Sequence, residues 1–437
     1  MRNLFQTWMQ DHLLRGVIKN SSYLFSSNTI SIGLSLIQGI LAARLLGVAR
    51  FGMLTGVIIP FASNVNRFLS FRMSEVVVRY TGKLITDGKR EQAAAAVKMA
   101  ALVEACTSVA AYLVLLLLTP WASNTLAKNP QSAPLFTTYG LVLLANLVYE
   151  TSTGVLQANK RFDRIALINL GQSLLTAALI FTAFVARWGI NEVMLAYLLG
   201  KAFAGVTVAL VAFHQVGLML GSGWWRVPLR VLPAPWALAR FALSTNLQGT
   251  VNLFVRDSET ILVSWLRTPS EAGYFKIALS VINLVILPLE PFINPTYAEI
   301  SRTVAERQYA ATRRLLKRVS TIAATWAGIA VLGLALVGWW LVPFVYGAEY
   351  APAYPALLIL LAGYGFASVF QWNRPLLLAL GRPGYPLRAS AVVGLVKTVL
   401  TFLLLPIYGY LIEAAFLAIY FWITIGVNVR KGLAELK

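Results

Sequence analysis

The sequence predicts an all-α membrane protein in which twelve transmembrane helices form two six-helix lobes related by a pseudo-two-fold axis along the membrane normal. Three observations predict it. Of the 437 residues, 58% are hydrophobic and 12% charged, with a mean hydropathy of +0.69, outside the range in which a soluble domain keeps a charged surface. Apolar stretches of about 20 residues with short connections use nearly the whole chain, which leaves no room for an extramembrane domain. Landmarks also recur at about half the chain length: Gly52 answers Gly273, Lys89 answers Arg307 and Lys160 answers Arg382.

Spans are expected near residues 20–47, 51–80, 93–119, 134–158, 164–186, 191–219, 239–266, 272–300, 316–343, 355–380, 385–407 and 410–429. Arg2, Arg15 and Lys19 precede the first run, which is too long and too polar at its start for a signal-peptide core, so the first span is expected to be retained. Of the 37 Lys and Arg residues, 23 fall in the loops on the side of both termini. Only Arg50, Lys128, Arg187 and Arg267 fall on the other side, and 10 fall inside spans. That asymmetry makes the rich side, with both termini, cytoplasmic. Six spans per half is an even number, so both halves insert in the same orientation, as in two-lobed transporters. The expected domains are an amino-terminal lobe over 1–220, an interfacial cytoplasmic linker over 221–238 and a carboxyl-terminal lobe over 239–437. The linker stretch GSGWWRVPLRVLPAPW suits a segment lying along the interface, or a plain connector.

The net charge of +20 is mostly topological by this map, and nucleic acid needs no role as a partner. The single Cys106 excludes an internal disulfide, and His12 and His214 are too few for a His-based centre. Neither a metal nor another cofactor is expected.

The ten basic residues inside spans are Arg44, Arg67, Arg72, Arg79, Lys98, Lys201, Arg256, Lys276, Arg374 and Lys397. A bare cation at the bilayer centre costs about 2.5–3.5 kcal/mol on insertion scales, so such residues face a polar interior and point to something anionic handled within the membrane. Arg44, Arg79 and Lys276 can instead snorkel to an interface. At helical spacing Asn64, Arg67, Arg72, Glu75 and Arg79 share one face of the second span, and Thr245, Gln248, Asn252, Arg256 and Glu259 one face of the seventh. Lys276, Asn283, Glu290 and Asn294 line the eighth, which prolines 288, 291 and 295 should bend or interrupt. Polar faces on the first span (Asn28, Ser31, Ser35, Gln38) and the fourth (Asn146, Glu150, Thr153, Gln157) fit helix-to-helix bonding equally well. Interior cations outnumber acids six to four in the first half, against Glu75, Glu104, Glu150 and Glu192. In the second half they number four to five, against Asp257, Glu259, Glu290, Glu299 and Glu413. The first lobe should be the more positive wall. Asp257, Glu259 and Glu290 are the candidates for coupling to a proton or sodium; the alternative is that they neutralise Arg256 and Lys276.

The segment ILAARLLGVARFGMLTGVIIPFAS (40–63) and the longer VPFVYGAEYAPAYPALLILLAGYGFASVFQWNRPLLLALGRPGYPLRAS (342–390) resemble the O-antigen and polysaccharide-export flippases of the multidrug/oligosaccharidyl-lipid/polysaccharide (MOP) superfamily. The resemblance covers essentially the whole chain. It implies a non-enzymatic flippase of the bacterial inner membrane that moves a polyprenyl-pyrophosphate-linked oligosaccharide outward by alternating access, for polysaccharide or O-antigen (lipopolysaccharide) biosynthesis. Other polysaccharide-assembly proteins are further partners in that setting. The expected diphosphate site is a cationic cavity of Arg67, Arg72, Lys98, Lys201, Arg256, Arg374 and Lys397, because guanidinium groups pair well with phosphate oxygens. By the resemblance, Arg256 and Asp257 fall at a charged pair of the seventh span, and Tyr346, Gly347, Glu349 and Tyr350 in a structural outer loop. Lipid would reach the cavity between the first and eighth spans. Three alternatives stand beside this: an ion-coupled small-molecule exporter of the same superfamily, a glycan polymerase or ligase, and a scaffold. An exporter of cations should have an acidic lumen. A polymerase or ligase would need catalytic acids, and the longest outer loop, about 14 residues around Lys128, has none.

Overall fold

The computed structural model describes residues 12–70, 73–232, 253, 257–382 and 384–436, and among these it contains helices and turns with no strand. In chain order the helices are α1 (His12–Phe51), α2 (Ile59–Leu69), α3 (Met73–Thr86), α4 (Arg90–Thr125), α5 (Ala133–Ala145), α6 (Tyr149–Ala158), α7 (Phe162–Val185) and α8 (Ile190–Leu220). They continue with α9 (Glu259–Leu266), α10 (Pro269–Ile286), α11 (Ile293–Ala305), α12 (Tyr309–Tyr346), α13 (Ala353–Val369), α14 (Asn373–Ala379), α15 (Gly384–Tyr408) and α16 (Tyr410–Glu435). A π-helical segment, Gly52–Ile58, joins α1 to α2.

Ten stretches among the described residues are long and apolar enough to cross a membrane. The first, Thr29–Leu69, runs through Gly47, where φ 71 and ψ 168 interrupt the helix, so it holds the first expected span and the start of the second. The seventh expected span, 239–266, lies outside the described residues except for its last part, which includes α9. The fold is therefore an all-α, multi-spanning membrane protein. Exposed Ile329, Leu332, Leu336 and Trp339 on α12 give that helix a lipid-facing side.

The chain divides into two compact units. One comprises Met1–Ala42, Phe61–Ser123 and Pro130–Thr250; the other comprises Ala43–Pro60, Asn124–Asn129 and Val251–Lys437. The core of the first interleaves Val76 and Val77 of α3, Val97 of α4, Leu156 of α6, Ile168 of α7 and Val208 of α8, with Trp224 of the following segment. Small residues let these helices approach: a Cβ on Gly154 would stand 2.8 Å from the Ser74 Cα. In the second unit Ile300, Leu316, Trp372, Leu376 and Leu436 form one cluster. There the π-segment lies against α10 so closely that a Cβ on Gly52 would stand 1.9 Å from the Pro269 carbonyl oxygen and 2.8 Å from the Gly273 nitrogen. The two glycines matched by the sequence repeat thus touch.

Among the described residues, four spans are discontinuous. The second breaks between α2 and α3, and the eighth passes through a 3-10 segment, Leu287–Phe292, as its prolines require. The fourth breaks at Asn146–Val148 and the tenth at Phe370–Trp372, the same place in each half. Non-helical backbone at membrane depth is tolerated where it is buried in protein or lines a water-filled cavity.

Candidate functional site: buried charges at the broken helices

In the second unit, α15 and α16 are joined at Gly409, whose φ of 75 suits glycine. Glu271 pins this turn: its carboxylate accepts from the Tyr410 nitrogen at 3.0 Å and from Arg267 Nε at 3.0 Å, while Arg267 Nη1 donates to the Pro406 carbonyl at 2.9 Å. The hairpin so formed brings Lys397 and Thr401, one helical turn apart on α15, against Glu413 of α16. Lys397 Nζ lies 2.7 Å from Glu413 Oε1 and 3.2 Å from Glu259 Oε1 at the start of α9, and the Thr401 hydroxyl donates to Glu413 Oε2 at 2.7 Å. Relative exposures of 6%, 0% and 4% for Lys397, Glu413 and Glu259 make this a closed ionic cluster.

In the first unit a buried carboxylate holds a helix break. Glu104 of α4 accepts from the backbone nitrogens of Glu150 and Thr151 at 2.7 and 2.8 Å, and so caps the restart of the fourth span from a neighbouring helix. Ser74 of α3 donates to Glu150. Asn146, just before the restart, donates to the Val142 carbonyl at 2.8 Å. Gln38 of the first span donates to the Ser173 carbonyl of α7 at 2.9 Å, which is helix-to-helix bonding.

The structure brings Lys397 and Glu259 together, and it gives each of the other predicted site residues that it describes a setting within its own unit. Lys98 donates to the Val227 carbonyl at 3.2 Å and so ties the linker to α4. Lys201 is exposed midway along α8, with no acidic partner among the described residues. Arg67 is exposed on the last turn of α2 beside the break, with a further interaction of its own. Arg374 is exposed in the first turn of α14, at the break of the tenth span, and Glu290 is exposed in the 3-10 segment. Asp257, also engaged, is half-buried before α9. Arg72 and Arg256 lie outside the described residues. Sequence reasoning counted Glu413 and Glu104 without singling them out, and it missed Thr401. The available signal was Thr401 at i+4 from Lys397, together with the one acid in excess of cations in the second half.

Among the predicted snorkelling cations, Arg44 donates to the Val345 carbonyl at 2.8 Å and also to that of Phe344, closing the carboxyl end of α12. Lys128 donates to the Arg267 carbonyl. In the outer loop, buried Tyr350 donates from its hydroxyl to the Ala43 carbonyl at 3.1 Å, and burial raises the phenol above its ordinary range. Toward the end of the eighth span, Arg302 donates to Glu299 at 2.6 Å and to Glu306 at 2.9 Å. Among the described residues no group of three His, Cys, Asp or Glu could hold a metal.

The fold is similar to that of solved transporters of the MOP superfamily. It matches an inward-facing multidrug resistance MATE family transporter of that superfamily (TM-score 0.70, 15% identity, 92% of this chain and 94% of that one). It also matches the lipid II flippase MurJ in an inward closed conformation (TM-score 0.72, 14% identity, 94% and 89%). A MOP transporter from Pyrococcus furiosus, described as having a binding pocket of reverse polarity, aligns with TM-score 0.61 at 14% identity over 96% and 95%. Residues 40–355 match the family described as "Polysaccharide biosynthesis protein", and the chain belongs to that family. The inner membrane protein YghQ of Escherichia coli K12 is 27% identical over 353 residues, 79% of this chain and 97% of that protein.

Proposed function

We propose that this chain is a flippase that moves a polyprenyl-pyrophosphate-linked oligosaccharide across the bacterial inner membrane by alternating access, for the assembly of a polysaccharide such as O-antigen, with both termini cytoplasmic. Membership of the polysaccharide biosynthesis family carries the reading, since such a pathway needs a lipid-linked sugar on the far side of the membrane. The fold likeness to a lipid II flippase and the relation to an inner membrane protein agree with it. Chemical support comes from Lys201, a mid-span cation exposed with no acidic partner among the described residues, and from Arg67 and Arg374, both exposed at helix breaks. Cations so placed need a polar surrounding, and a diphosphate supplies it. The sugar and phosphate are thereby spared the cost of crossing hydrocarbon, and no covalent step is involved.

The test is translocation by the reconstituted full-length protein. A polyprenyl-diphosphate oligosaccharide carrying a label is incorporated in liposomes, and its exposure to a membrane-impermeant probe is followed. Wild type should move it to the opposite leaflet. Lys201→Ala and Arg374→Ala should each weaken apparent affinity by about ten- to a hundredfold, the value of one charge-assisted hydrogen bond. An unchanged distribution with wild type rejects the flippase reading.

A further inference from the structure

The helix α12 is 38 residues long, whereas about 20 suffice to cross hydrocarbon. Its opening stretch, YAATRRLLKR, holds all of its cations, and no Asp or Glu occurs between Glu306 and Glu349. Arg314 and Arg318 share one exposed stripe with Thr321, Thr325, Ile329, Leu332 and Leu336, and exposed Lys317 borders it. Because that stripe is the lipid-facing side of α12, its cations lie where the helix leaves hydrocarbon for the headgroups. Arg313 is engaged elsewhere, donating to the Leu436 carbonyl at 3.0 Å. The acids of neighbouring elements are also taken: Glu299 and Glu306 by Arg302, and Glu435 by Arg382 and Lys431.

Deeper along the same helix is an apolar crevice, whose walls include Ile282 and Ile286 of α10, Trp326, Ala327 and Val331 of α12 and Gly365 of α13. Trp326 lines it and is also exposed, and its indole donates to the Val285 carbonyl at 2.8 Å. Measured along the helix, Trp326 stands about 12 Å and Val331 about 20 Å from Arg318. One leaflet with its headgroups is about 20–22 Å thick, so cations and crevice match the two ends of a single lipid.

We propose that the first turns of α12 and this crevice, all within the second unit, form a binding site for one anionic glycerophospholipid of the bilayer. Arg314, Lys317 and Arg318 hold its phosphate, which guanidinium groups grip with paired charge-assisted bonds, and one acyl chain enters the crevice. A lipid-linked cargo fits worse. Past Thr325 the stripe continues as Ile329, Leu332, Leu336 and Trp339, so a diphosphate caught at the cations would have no polar path onward. The site therefore stands apart from the translocation proposed above and does not rest on it. Val285 immediately precedes the end of α10 and its 3-10 segment, so a lipid seated beside Trp326 braces α12 against that break and stabilises the folded protein as it binds.

Thermal unfolding of the full-length protein in an uncharged detergent, titrated with mixed micelles of phosphatidylglycerol, reads the affinity. The melting temperature of wild type should rise with phosphatidylglycerol and not with phosphatidylcholine, which has no net charge. Arg314→Gln, Lys317→Gln and Arg318→Gln combined should weaken the affinity by roughly a hundredfold, about fivefold for each cation. Lys160→Gln, Arg226→Gln and Arg230→Gln combined remove the same charge from exposed positions of the first unit and should leave it unchanged. Gly365→Leu keeps every cation and fills the crevice, since a Cβ there meets Ala327 and Val331 at 3.9 and 4.0 Å without a clash. It should lower the affinity for long-chain phosphatidylglycerol and spare that for a dihexanoyl form; Val331→Phe reaches the same space should Gly365→Leu fail to fold. The proposal is overturned if the α12 variant binds as wild type does, if the first-unit variant loses as much, or if phosphatidylcholine stabilises equally. Long-chain affinity untouched by filling the crevice overturns it too, as does displacement of phosphatidylglycerol by an equimolar polyprenyl diphosphate, which would give the site to cargo. Intact phosphatidylglycerol binding alongside failed translocation leaves the site standing and removes the flippase.

Discussion

At the scale of single residues, the buried acids divide into those that hold backbone and those that hold charge. Glu104 accepts two backbone N–H groups that the fourth span would otherwise leave bare at its break. Glu104→Ala should therefore lower stability by about 2–6 kcal/mol, since each of the two buried donors left unpaired costs about 1–3 kcal/mol, and a lowered melting temperature in detergent would register it. Gly52 is constrained more sharply, because the atoms within 3 Å of its missing Cβ are main-chain atoms of α10 and cannot rotate away. Gly52→Val should abolish the folded, monodisperse species in size-exclusion chromatography, whereas Gly39→Ala, with open space around it, should leave the species intact. Lys397 and Glu259 stood out in the sequence because charge in an apolar run is conspicuous. Their pairing did not, since 138 residues separate them and helical periodicity speaks only of neighbours within one span. Thr401 carried only the weak signal of its i+4 spacing from Lys397, a hydroxyl being ordinary in a membrane helix.

At the scale of elements, the sequence located the breaks that proline makes and missed those made by neighbours. The 3-10 segment Leu287–Phe292 falls on Pro288 and Pro291, as the missing N–H groups dictate. The breaks at Asn146–Val148 and Phe370–Trp372 contain no proline; in the first, a carboxylate from α4 satisfies the freed backbone, a tertiary effect that no local pattern records. Lys98 shows the same limit. As one of the interior cations it was grouped with the substrate cavity, and in the structure its ammonium reaches the Val227 carbonyl beyond α8. Lys98→Ala should loosen the 224–231 segment, and faster trypsin cleavage at exposed Arg226 and Arg230 in otherwise intact protein would measure it. Glu271 binds the turn between α15 and α16 to the start of α10 through Arg267 and the Tyr410 nitrogen. Glu271→Ala should cost about 1–3 kcal/mol, the value of leaving those donors without their acceptor, readable as reduced thermal stability.

For the whole molecule, the alternation of basic and poor loops made the span count legible before any coordinate, because orientation is set by where Lys and Arg fall rather than by fold detail. It also makes a topological prediction: in a Cys106→Ser background, Lys128→Cys should react with an impermeant thiol reagent added outside the cell, and Arg307→Cys only after the membrane is opened. The division of the chain into units was less legible, since hydropathy marks where helices cross and not which neighbours they choose. The lobe boundary expected near residue 220 separates the chain by sequence, yet Ala43–Pro60 packs with the later residues. That segment includes Gly52 against Pro269 and Ala43 under the Tyr350 hydroxyl. A carboxyl-terminal half expressed by itself would begin without a piece of its own interior and present the vacated face of α10 to lipid. A cut at the midpoint therefore parts the second compact unit from a piece of itself, and two halves expressed as separate chains would have to reassemble around that plug.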